Sequence, residues 1–346
     1  MAIFSQDLVA VDMGSSATSV YVDGLGVCLR EPTQLVVSRE DIRQVAAIGE
    51  DARRMYGILP PDLMFMPPVV DTAVTDTDLA ALTMLALAEK AAGRKKPADK
   101  GRFMVSAATG LTHVEHAALL AACRLTGARR IAAVNSSIAA AVGAGLDITE
   151  PKGVLLVDMG GGATEIAVMS LGAVAASRAV RSGCMNFDKS IIRYMRAKRG
   201  ISISPIAAEE IKKTVGSAIL PPEHSTGDVT RVAGRDLKTG KPCEVTVTAR
   251  EVSGAIRLCI DELISSIQDV LISLPSEFAG DIKKTGIYLS GGCANLSGLS
   301  DEISARCDLK CHMTSTPQDD VANGMGVIGS NEALLRELIT AGSCVE

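Results

Sequence analysis

The chain has 346 residues and a formal net charge of −5, and 47% of its residues are apolar but only 3% are aromatic. It is therefore too long for one small core and suits two domains built mainly from Ala, Val, Leu and Ile, a mix that is usual for α/β layers with buried parallel strands. The charge gives no general reason to expect attraction to nucleic acid or to an acidic membrane, so no direct nucleic-acid binding is predicted.

The beginning of the chain and its apolar stretches predict a soluble protein. Residues 1–7 contain no basic region that leads into an apolar core, so they are not expected to form a signal peptide. The apolar stretch 79–88 is bounded by Asp78 and Glu89 and is too short to cross a bilayer.

Nine cysteines are scattered along the chain, and none forms a CxxC pair. Cys307 and Cys311 are four residues apart, but no second ligand pair follows at the spacing of a zinc site. The four histidines have no partners in ligand or triad arrangements, which argues against a metalloenzyme or a triad hydrolase. Reduced, mostly buried thiols of a cytosolic protein are therefore expected.

An internal repeat organises the sequence. Residues 8–22 read LVAVDMGSSATSVYV and align without gaps with residues 154–168, which read VLLVDMGGGATEIAV. Each copy predicts a buried strand, a tight turn that opens with Asp-x-Gly, and a second strand of alternating pattern. Because Asp12 and Asp158 are 146 residues apart (158 minus 12), the repeat indicates a duplicated domain rather than a short tandem array.

Each repeated turn also has a chemical interpretation. Glycines and small hydroxyl residues let the backbone approach an anion closely and direct successive N–H groups at it. Two such turns facing each other can hold a polyphosphate, with Asp12 and Asp158 orienting waters on Mg²⁺. A single turn of this kind is more often an ordinary β-hairpin, and the duplication is what favours the phosphate interpretation. The candidate phosphate contacts are Gly14, Ser15, Ser16, Ala17, Gly160, Gly161 and Gly162.

A third glycine turn follows another predicted strand and precedes a helix predicted to begin near Asn295. Two adjacent glycines at this junction permit a flat base or ribose to lie against the backbone, although a plain strand-to-helix turn fits the pattern equally well. The candidate contacts are Ser290, Gly291, Gly292 and Cys293.

Residues 207–218 predict a helix on which Glu209 and Lys212 share a face. These two side chains, with Glu210 beside them, can bond ribose hydroxyls and the base. From the pattern alone, a plain surface ion pair between Glu209 and Lys212 is the favoured alternative.

The order of these motifs resembles the superfamily of actin, Hsp70 and sugar-kinase ATPases. The first hairpin is similar to its phosphate 1 motif, the second to its phosphate 2 motif, and the third glycine turn to its adenosine motif. Within the superfamily, the chain is most similar to bacterial actins of the MreB type, from about residue 8 to residue 329. The segments that carry this resemblance are 138–146 (the connecting helix), 157–172, 208–212, 216–218 and 234–240.

The resemblance implies an α/β actin-like ATPase fold, with two duplicated RNase-H-like lobes and a nucleotide cleft between them. It places lobe I at 1–146 plus about 330–346, with an insertion at about 32–66, and lobe II at 147–329, with an insertion at about 182–244. It implies ATP or ADP with Mg²⁺ as cofactors, and copies of the same chain as partners in protofilaments. The expected location is the cytoplasm, with the inner-membrane surface or a membrane-bound adaptor as a further partner.

The chain departs from the family pattern at residues that bear on hydrolysis. Ser136 and Ser137 replace the Glu-Pro that precedes the connecting helix, and Ala163, followed by Thr164, replaces the Thr after the three glycines. Since a serine hydroxyl poorly replaces a carboxylate that positions the attacking water, the resemblance implies ATP binding with weakened hydrolysis. The alternative is that a nearby carboxylate or Asn135 substitutes. The candidate catalytic residues are Asp12, Asp158, Ser136 and Thr164, and further departures are Ala17 for Asn and Cys293 for Gly.

Loop 92–102 carries five positive charges within nine residues and lacks the apolar pair with which family members contact the membrane. Such a loop can attract anionic lipid at about 1 kcal/mol per charge. A solvated loop is the favoured interpretation.

The favoured function is a nucleotide-dependent, filament-forming bacterial actin that acts in cell-shape maintenance or spatial organisation. The alternative is a specialised filament that positions an organelle of the magnetosome type or segregates DNA. A small-molecule kinase of the same fold is less favoured, because neither a catalytic carboxylate nor a large substrate insertion is found. A chaperone-type ATPase is not expected either, because no peptide-binding domain follows the ATPase lobes.

Overall fold

A computed structural model of the chain describes residues 8–97, 99, 101–222 and 227–346. The N-terminal segment on which the signal-peptide prediction rests lies outside the described residues, as do His224 and two positions of loop 92–102, Ala98 and Lys100.

The described residues contain nineteen strands and eleven α-helices. The strands, in chain order, are β1 Leu8–Met13, β2 Ala17–Val22, β3 Gly26–Pro32, β4 Leu35–Ser38, β5 Val45–Ile48, β6 Leu63–Met66, β7 Val69–Val70, β8 Ala73–Val74, β9 Arg102–Ala107, β10 Arg130–Asn135, β11 Val154–Met159, β12 Thr164–Ser170, β13 Ala173–Val180, β14 Ile201–Ser202, β15 Val229–Asp236, β16 Pro242–Thr248, β17 Ile287–Ser290, β18 Cys311–Met313 and β19 Cys344–Val345. The helices are α1 Glu50–Arg54, α2 Thr77–Ala92, α3 His113–Leu125, α4 Ser136–Gly143, α5 Cys184–Tyr194, α6 Pro205–Val215, α7 Ala249–Ser273, α8 Ser276–Thr285, α9 Leu299–Cys307, α10 Asp320–Ser330 and α11 Glu332–Thr340. A π-helical turn at Met195–Arg199 extends α5, and a 3₁₀ turn at Gly292–Asn295 follows β17.

Two mixed sheets form the centre of the molecule and repeat one arrangement. The first sheet has the order β19-β10-β9-β1-β2-β3, and the second sheet has the order β13-β12-β11-β17-β18. In each, the repeated hairpin is antiparallel with matching register, since Met13 pairs with Thr18 and Met159 pairs with Thr164. The predicted duplication and the α/β fold class are thereby confirmed.

Smaller sheets accompany the two central ones. The order β5-β4-β6 falls within 32–66, whereas β14-β15-β16 runs slightly past the predicted insertion at 182–244, because β16 ends at Thr248. The limits proposed for the lobes and insertions stay a prediction. None of the helices in the described ranges is both long enough and apolar enough to span a membrane.

The elements near the predicted site begin and end where local chemistry directs them. Asn135, at the end of β10, accepts a hydrogen bond from the Ile138 amide at 3.2 Å, so α4 begins at Ser136, two residues earlier than predicted. The helix predicted near Asn295 begins only at Leu299, because a 3₁₀ turn and the left-handed Gly298 precede it. Helix α6 ends at Val215, three residues before the predicted limit.

Helices α4 and α10 cross with no side chain between their backbones. A Cβ added to Gly143 would overlap the Asp320 carbonyl oxygen, and a Cβ added to Gly324 would overlap the Ala139 carbonyl oxygen. Residues of both helices share one buried apolar cluster with strands of both central sheets. The crossing therefore holds the two sheets at a set separation.

Loop 92–102 offers less free charge than its sequence predicts. Arg102 opens β9 and is only 5% exposed, and it is paired with Glu332 at 3.3 Å and with Glu346 at 3.2 Å. Lys95 lies 2.8 Å from Glu89. These pairings weaken the lipid interpretation of the loop.

The expectation of reduced thiols is wrong for one pair of cysteines. Cys184 at the start of α5 and Cys293 in the 3₁₀ turn are joined by a disulfide, with Cα atoms 5.6 Å apart although 109 residues separate them in the chain. That spacing lies within the range that a disulfide spans. Only the fold brings these two positions together.

Substitution of Gly324 tests the helix crossing. Gly324→Ala is expected to lower the free energy of unfolding by at least about 1–3 kcal/mol, because the added methyl group displaces α10 from α4. In the control Gly254→Ala, on α7, the methyl group meets no atom within 4 Å, and a gain of up to about 1 kcal/mol is expected. Urea unfolding measures both; equal effects of the two substitutions would refute the close contact.

Thiol counting tests the disulfide. Denatured protein kept without reductant is expected to show the seven free thiols, and reduced protein all nine. Cys293→Ser is expected to cost about 2–5 kcal/mol under oxidising conditions and little in reductant, whereas the exposed Cys28→Ser is expected to cost little in both. Nine thiols without reductant would contradict the pairing.

Candidate functional site

The two repeated turns close with the same hydrogen bond. The Gly14 amide donates to the Ala17 carbonyl oxygen at 3.1 Å, and the Gly160 amide donates to the Ala163 carbonyl oxygen at 2.9 Å. Ala17 opens β2 and Ala163 directly precedes β12, so both turns lead into the second strand of their hairpins. The duplication extends to the geometry of the turns themselves.

The turns also face each other directly. A Cβ added to Gly162 would lie 2.6 Å from Ser15 Oγ, and one added to Gly161 would overlap Ser16. The backbone N–H groups of these four residues donate no hydrogen bond to any acceptor in the part of the chain that the structure describes. Unpaired amides on two opposed loops, where any side chain would fill the space, fit an anionic ligand such as a polyphosphate.

Carboxylates crowd behind the turns. Burial, and then the nearby Glu165 carboxylate, raise the pKa of Asp12 to about 6, although a hydrogen bond from Ser106 Oγ at 2.6 Å works against the rise. The pKa of Asp158 is raised well above its ordinary value by burial and by the charges of Glu165, Asp12 and Asp320. Like charges held this close favour a nearby cation.

The carboxylates behind the turns do not by themselves form a complete metal site. No group of three or more His, Cys, Asp or Glu side chains among the described residues is placed to hold a metal directly. Mg²⁺ commonly keeps several waters and binds through phosphate oxygens. That Asp12 and Asp158 hold the ion through water stays a prediction.

Ser136, at the predicted position of the missing glutamate, and Ser137, at that of the proline, hold a carboxylate from another strand. Both hydroxyls donate to Glu165 Oε2, at 2.7 Å and 2.9 Å, and the Thr109 amide donates to the same oxygen at 3.0 Å. Glu165 is buried and belongs to β12. Sequence reasoning did not single out Glu165. The available signal was the alignment of the two repeat copies, in which Glu165 stands opposite Ser19.

Thr164, predicted as catalytic, is next to Glu165 in the chain, but its hydroxyl does not contact the Glu165 carboxylate. Its Oγ1 donates to the Ser182 carbonyl oxygen at 2.7 Å, and the residue is 3% exposed. The structure therefore does not bring the Thr164 hydroxyl to the carboxylates.

The third glycine turn meets Asp158. A Cβ added to Gly291, whose φ is +83°, would lie 2.6 Å from Asp158 Oδ1. Gly292 is exposed and faces open space, which leaves room for a flat ring. Ser290 is fully buried and its hydroxyl donates to Asp320 Oδ2 at 2.8 Å, while Cys293 is in the disulfide. Only the backbone of this turn is thus open to a ligand.

Glu209 makes an ion pair between α6 and α1. Its Oε2 lies 3.1 Å from Arg53 Nη2, and its Oε1 lies 2.8 Å from Lys213 Nζ. Glu210 is exposed and lies 4.0 Å from the same arginine. Arg53 therefore links α1, which follows β5 of the small sheet, to α6.

Lys212 is turned away from Glu209, so the predicted ion pair between them does not form. Its ammonium group is buried, lies 2.8 Å from Asp188 Oδ1 and donates to the Cys184 carbonyl oxygen at 3.3 Å. Lys212 thus ties α6 to the start of α5, because its side chain faces that helix.

The carboxylates near Asp12 are expected to make the stability of the folded protein depend on pH. The raised pKa means that folded protein binds more protons than unfolded protein, so ionised Asp12 costs stability as pH rises from 3.8 past about 6. Asp12→Asn is expected to stabilise the ligand-free protein at pH 7.5 by on the order of 1–3 kcal/mol, and not at pH 4. The exposed Asp269→Asn is expected to change stability by less than about 0.5 kcal/mol. Thermal unfolding measures the difference; a loss at pH 7.5 from Asp12→Asn would contradict the crowding.

Comparisons with known proteins show the family of the chain. The family model described as MreB/Mbl protein matches residues 6–337. The cell shape-determining protein MreB of Escherichia coli strain K12 is 32% identical over 330 residues, which cover 94% of this chain and 93% of that one. The cell shape-determining protein Mbl of Bacillus subtilis strain 168 is 30% identical over 329 residues, covering 95% and 97%.

Solved structures show the same architecture. A crystal structure of MreB5 of Spiroplasma citri bound to AMPPNP has a TM-score of 0.88 and 25% identity, covering 98% of this chain and 99% of that one. A MamK double helical filament has a TM-score of 0.77 at 17% identity, covering 94% and 99%, and shares the fold. The chain has an MreB-type, actin-like fold, and it belongs to the MreB/Mbl family.

Proposed function

We propose that this protein binds ATP or ADP with Mg²⁺ between its two repeated turns and assembles with copies of itself into cytoplasmic filaments. The observation that carries the proposal is the pair of opposed turns, with four unpaired amides in front and Asp12 and Asp158 behind. A triphosphate and its cation match both features, because the anion accepts from the amides and the cation offsets the crowded carboxylates. The complexes of S. citri MreB5 with AMPPNP and ADP support this choice of ligand.

Each part of the site would have a separate task. The amides of Ser15, Ser16, Gly161 and Gly162 would hold phosphate oxygens, and the open face of Gly292 would receive the base or ribose. When bound, Mg²⁺ supplies positive charge to the phosphates. The ion pair between Glu209 and Arg53 lies where the two halves of the molecule meet. A nucleotide bound beside it would change this contact, either by taking Glu209 as a partner or by drawing the two side chains closer together.

We further propose that hydrolysis is weak. Ser136 has no carboxylate with which to position water, and the Thr164 hydroxyl is engaged by a backbone carbonyl. Loss of such a group typically costs roughly 10²–10⁴-fold in rate. Binding is less affected, because the backbone amides and both aspartates are retained.

Cell-shape maintenance is the biological role that we propose, because relatives that cover nearly the whole chain carry that description. No feature of the described residues favours organelle positioning or DNA segregation over it. The lipid contact of loop 92–102 is not part of the proposal, because Arg102 is buried and paired.

Three linked measurements test the proposal. Fluorescent-ATP titration is expected to show Mg²⁺-dependent binding that Gly161→Ala weakens at least about tenfold, because the methyl group forces the turns apart. The control Gly280→Ala, whose methyl group meets no atom within 4 Å, should leave binding unchanged.

Sedimentation and negative-stain imaging with ATP, with ADP and without nucleotide should show nucleotide-dependent filaments. Phosphate release as fast as that of E. coli MreB, measured alongside, would refute weakened hydrolysis, and absence of nucleotide binding would refute the whole proposal.

A further inference from the structure

Glu165 lies on the face of the second sheet that carries Asp158. The two residues are direct partners in the antiparallel pairing of β11 and β12, and opposite residues in such a pair project their side chains to the same face. The Glu165 charge is felt by both Asp158 and Asp12. This carboxylate therefore belongs to the same group as the two aspartates proposed to face the cation.

Two elements beside the first sheet orient the Glu165 carboxylate. Thr109 follows β9, and Ser136 and Ser137 form the first turn of α4, yet all three donate to a single oxygen, Oε2. A hydrogen bond between the hydroxyls of Thr109 and Ser137, at 3.0 Å, joins the donors to one another. Three donors on one oxygen fix the orientation of the carboxylate.

The second oxygen of Glu165 is left without a partner. Oε1 accepts no hydrogen bond from any residue that the structure describes. Oε1 is not among the described side-chain atoms that are both enclosed by protein and unpaired, so a water molecule can reach it. One held oxygen and one open oxygen are what a group that orients a water molecule requires.

The Ser136 hydroxyl is a hydrogen-bond donor beside the Glu165 carboxylate, which is an acceptor. A glutamate at position 136 would place a second carboxylate beside Glu165, whereas a serine there donates a hydrogen bond to it. The departure from the family pattern at Ser136 and Ser137 is thus matched by the two hydrogen bonds that these serines make.

We propose that Glu165 has taken over the water-orienting position of the missing glutamate and carries the residual ATP hydrolysis of this protein. This inference rests on the proposed ATP site. The water donates a hydrogen bond to Glu165 Oε1, and its oxygen forms a bond to the γ-phosphorus. The bond from that phosphorus to the bridging oxygen breaks, its electron pair stays on ADP, and the proton of the water leaves with the phosphate product.

Glu165→Gln tests the role with little disturbance of the fold. The glutamine keeps the size of the side chain and one oxygen for Ser136, Ser137 and Thr109, but it loses the charge that faces the water. Residual phosphate release in single-turnover experiments is expected to fall about 10- to 100-fold. Fluorescent-ATP affinity should change less than about threefold, and filaments formed with ATP should persist longer. Glu302→Gln, which removes a carboxylate between α9 and α7, is the matched control and should leave all three unchanged.

A second variant separates a water-orienting role from a merely structural one. Ser136→Glu combined with Glu165→Gln is expected to restore phosphate release, because a single carboxylate then stands at the water with an amide donor beside it.

Three outcomes would overturn the inference while nucleotide binding persists. These are unchanged hydrolysis in Glu165→Gln, no recovery of hydrolysis in Ser136→Glu combined with Glu165→Gln, and no hydrolysis at all in the unsubstituted protein. Failure of the unsubstituted protein to bind ATP would instead refute the proposed function on which the inference rests.

Discussion

The architecture of this protein depends on a backbone contact between α4 and α10. Gly143 and Gly324 let the two helices approach until no side chain fits between them. Each helix lies at the end of an equivalent part of the duplicated fold, so their crossing sets how far apart the two central sheets stand. The repeated turns, which join the ends of inner strands of those sheets, consequently meet each other. A cleft of this kind needs no dedicated binding domain, because two copies of one hairpin supply both of its walls.

The same proximity that makes the cleft also creates an electrostatic cost. Asp12, Asp158 and Glu165 are held near one another, and burial raises the pKa of Asp12 and of Asp158. A protein optimised for stability alone would replace one of them with a neutral group. The three carboxylates are explained if a cation and a polyphosphate bind at this site, because the cation then offsets the repulsion among them. Binding of the ligand would also favour the closed arrangement of the two turns. Arg53 and Glu209, which meet across the two halves, would respond to the same closure.

The departures from the family pattern are coherent rather than scattered. Ser136 and Ser137 replace a Glu-Pro pair, and in doing so they supply two donors to a carboxylate that reaches them from β12. The disulfide between Cys184 and Cys293 lies close by and joins the start of α5 to the third glycine turn. Both changes act on elements beside the two repeated turns, and the turns themselves keep the same closing hydrogen bond.

The sequence by itself determined the duplication, the two Asp-x-Gly hairpins and the fold class. These follow from local patterns, because a strand, a turn and a second strand are encoded within fifteen consecutive residues. It also indicated Gly291 and Gly292 as a turn, but not that Ser290 is buried against Asp320. Only the tertiary structure decided the partners of Glu165, Glu209, Lys212 and Cys184. Each of these contacts joins residues far apart in the chain or selects one face of a helix among several, and neither choice leaves a trace in local spacing.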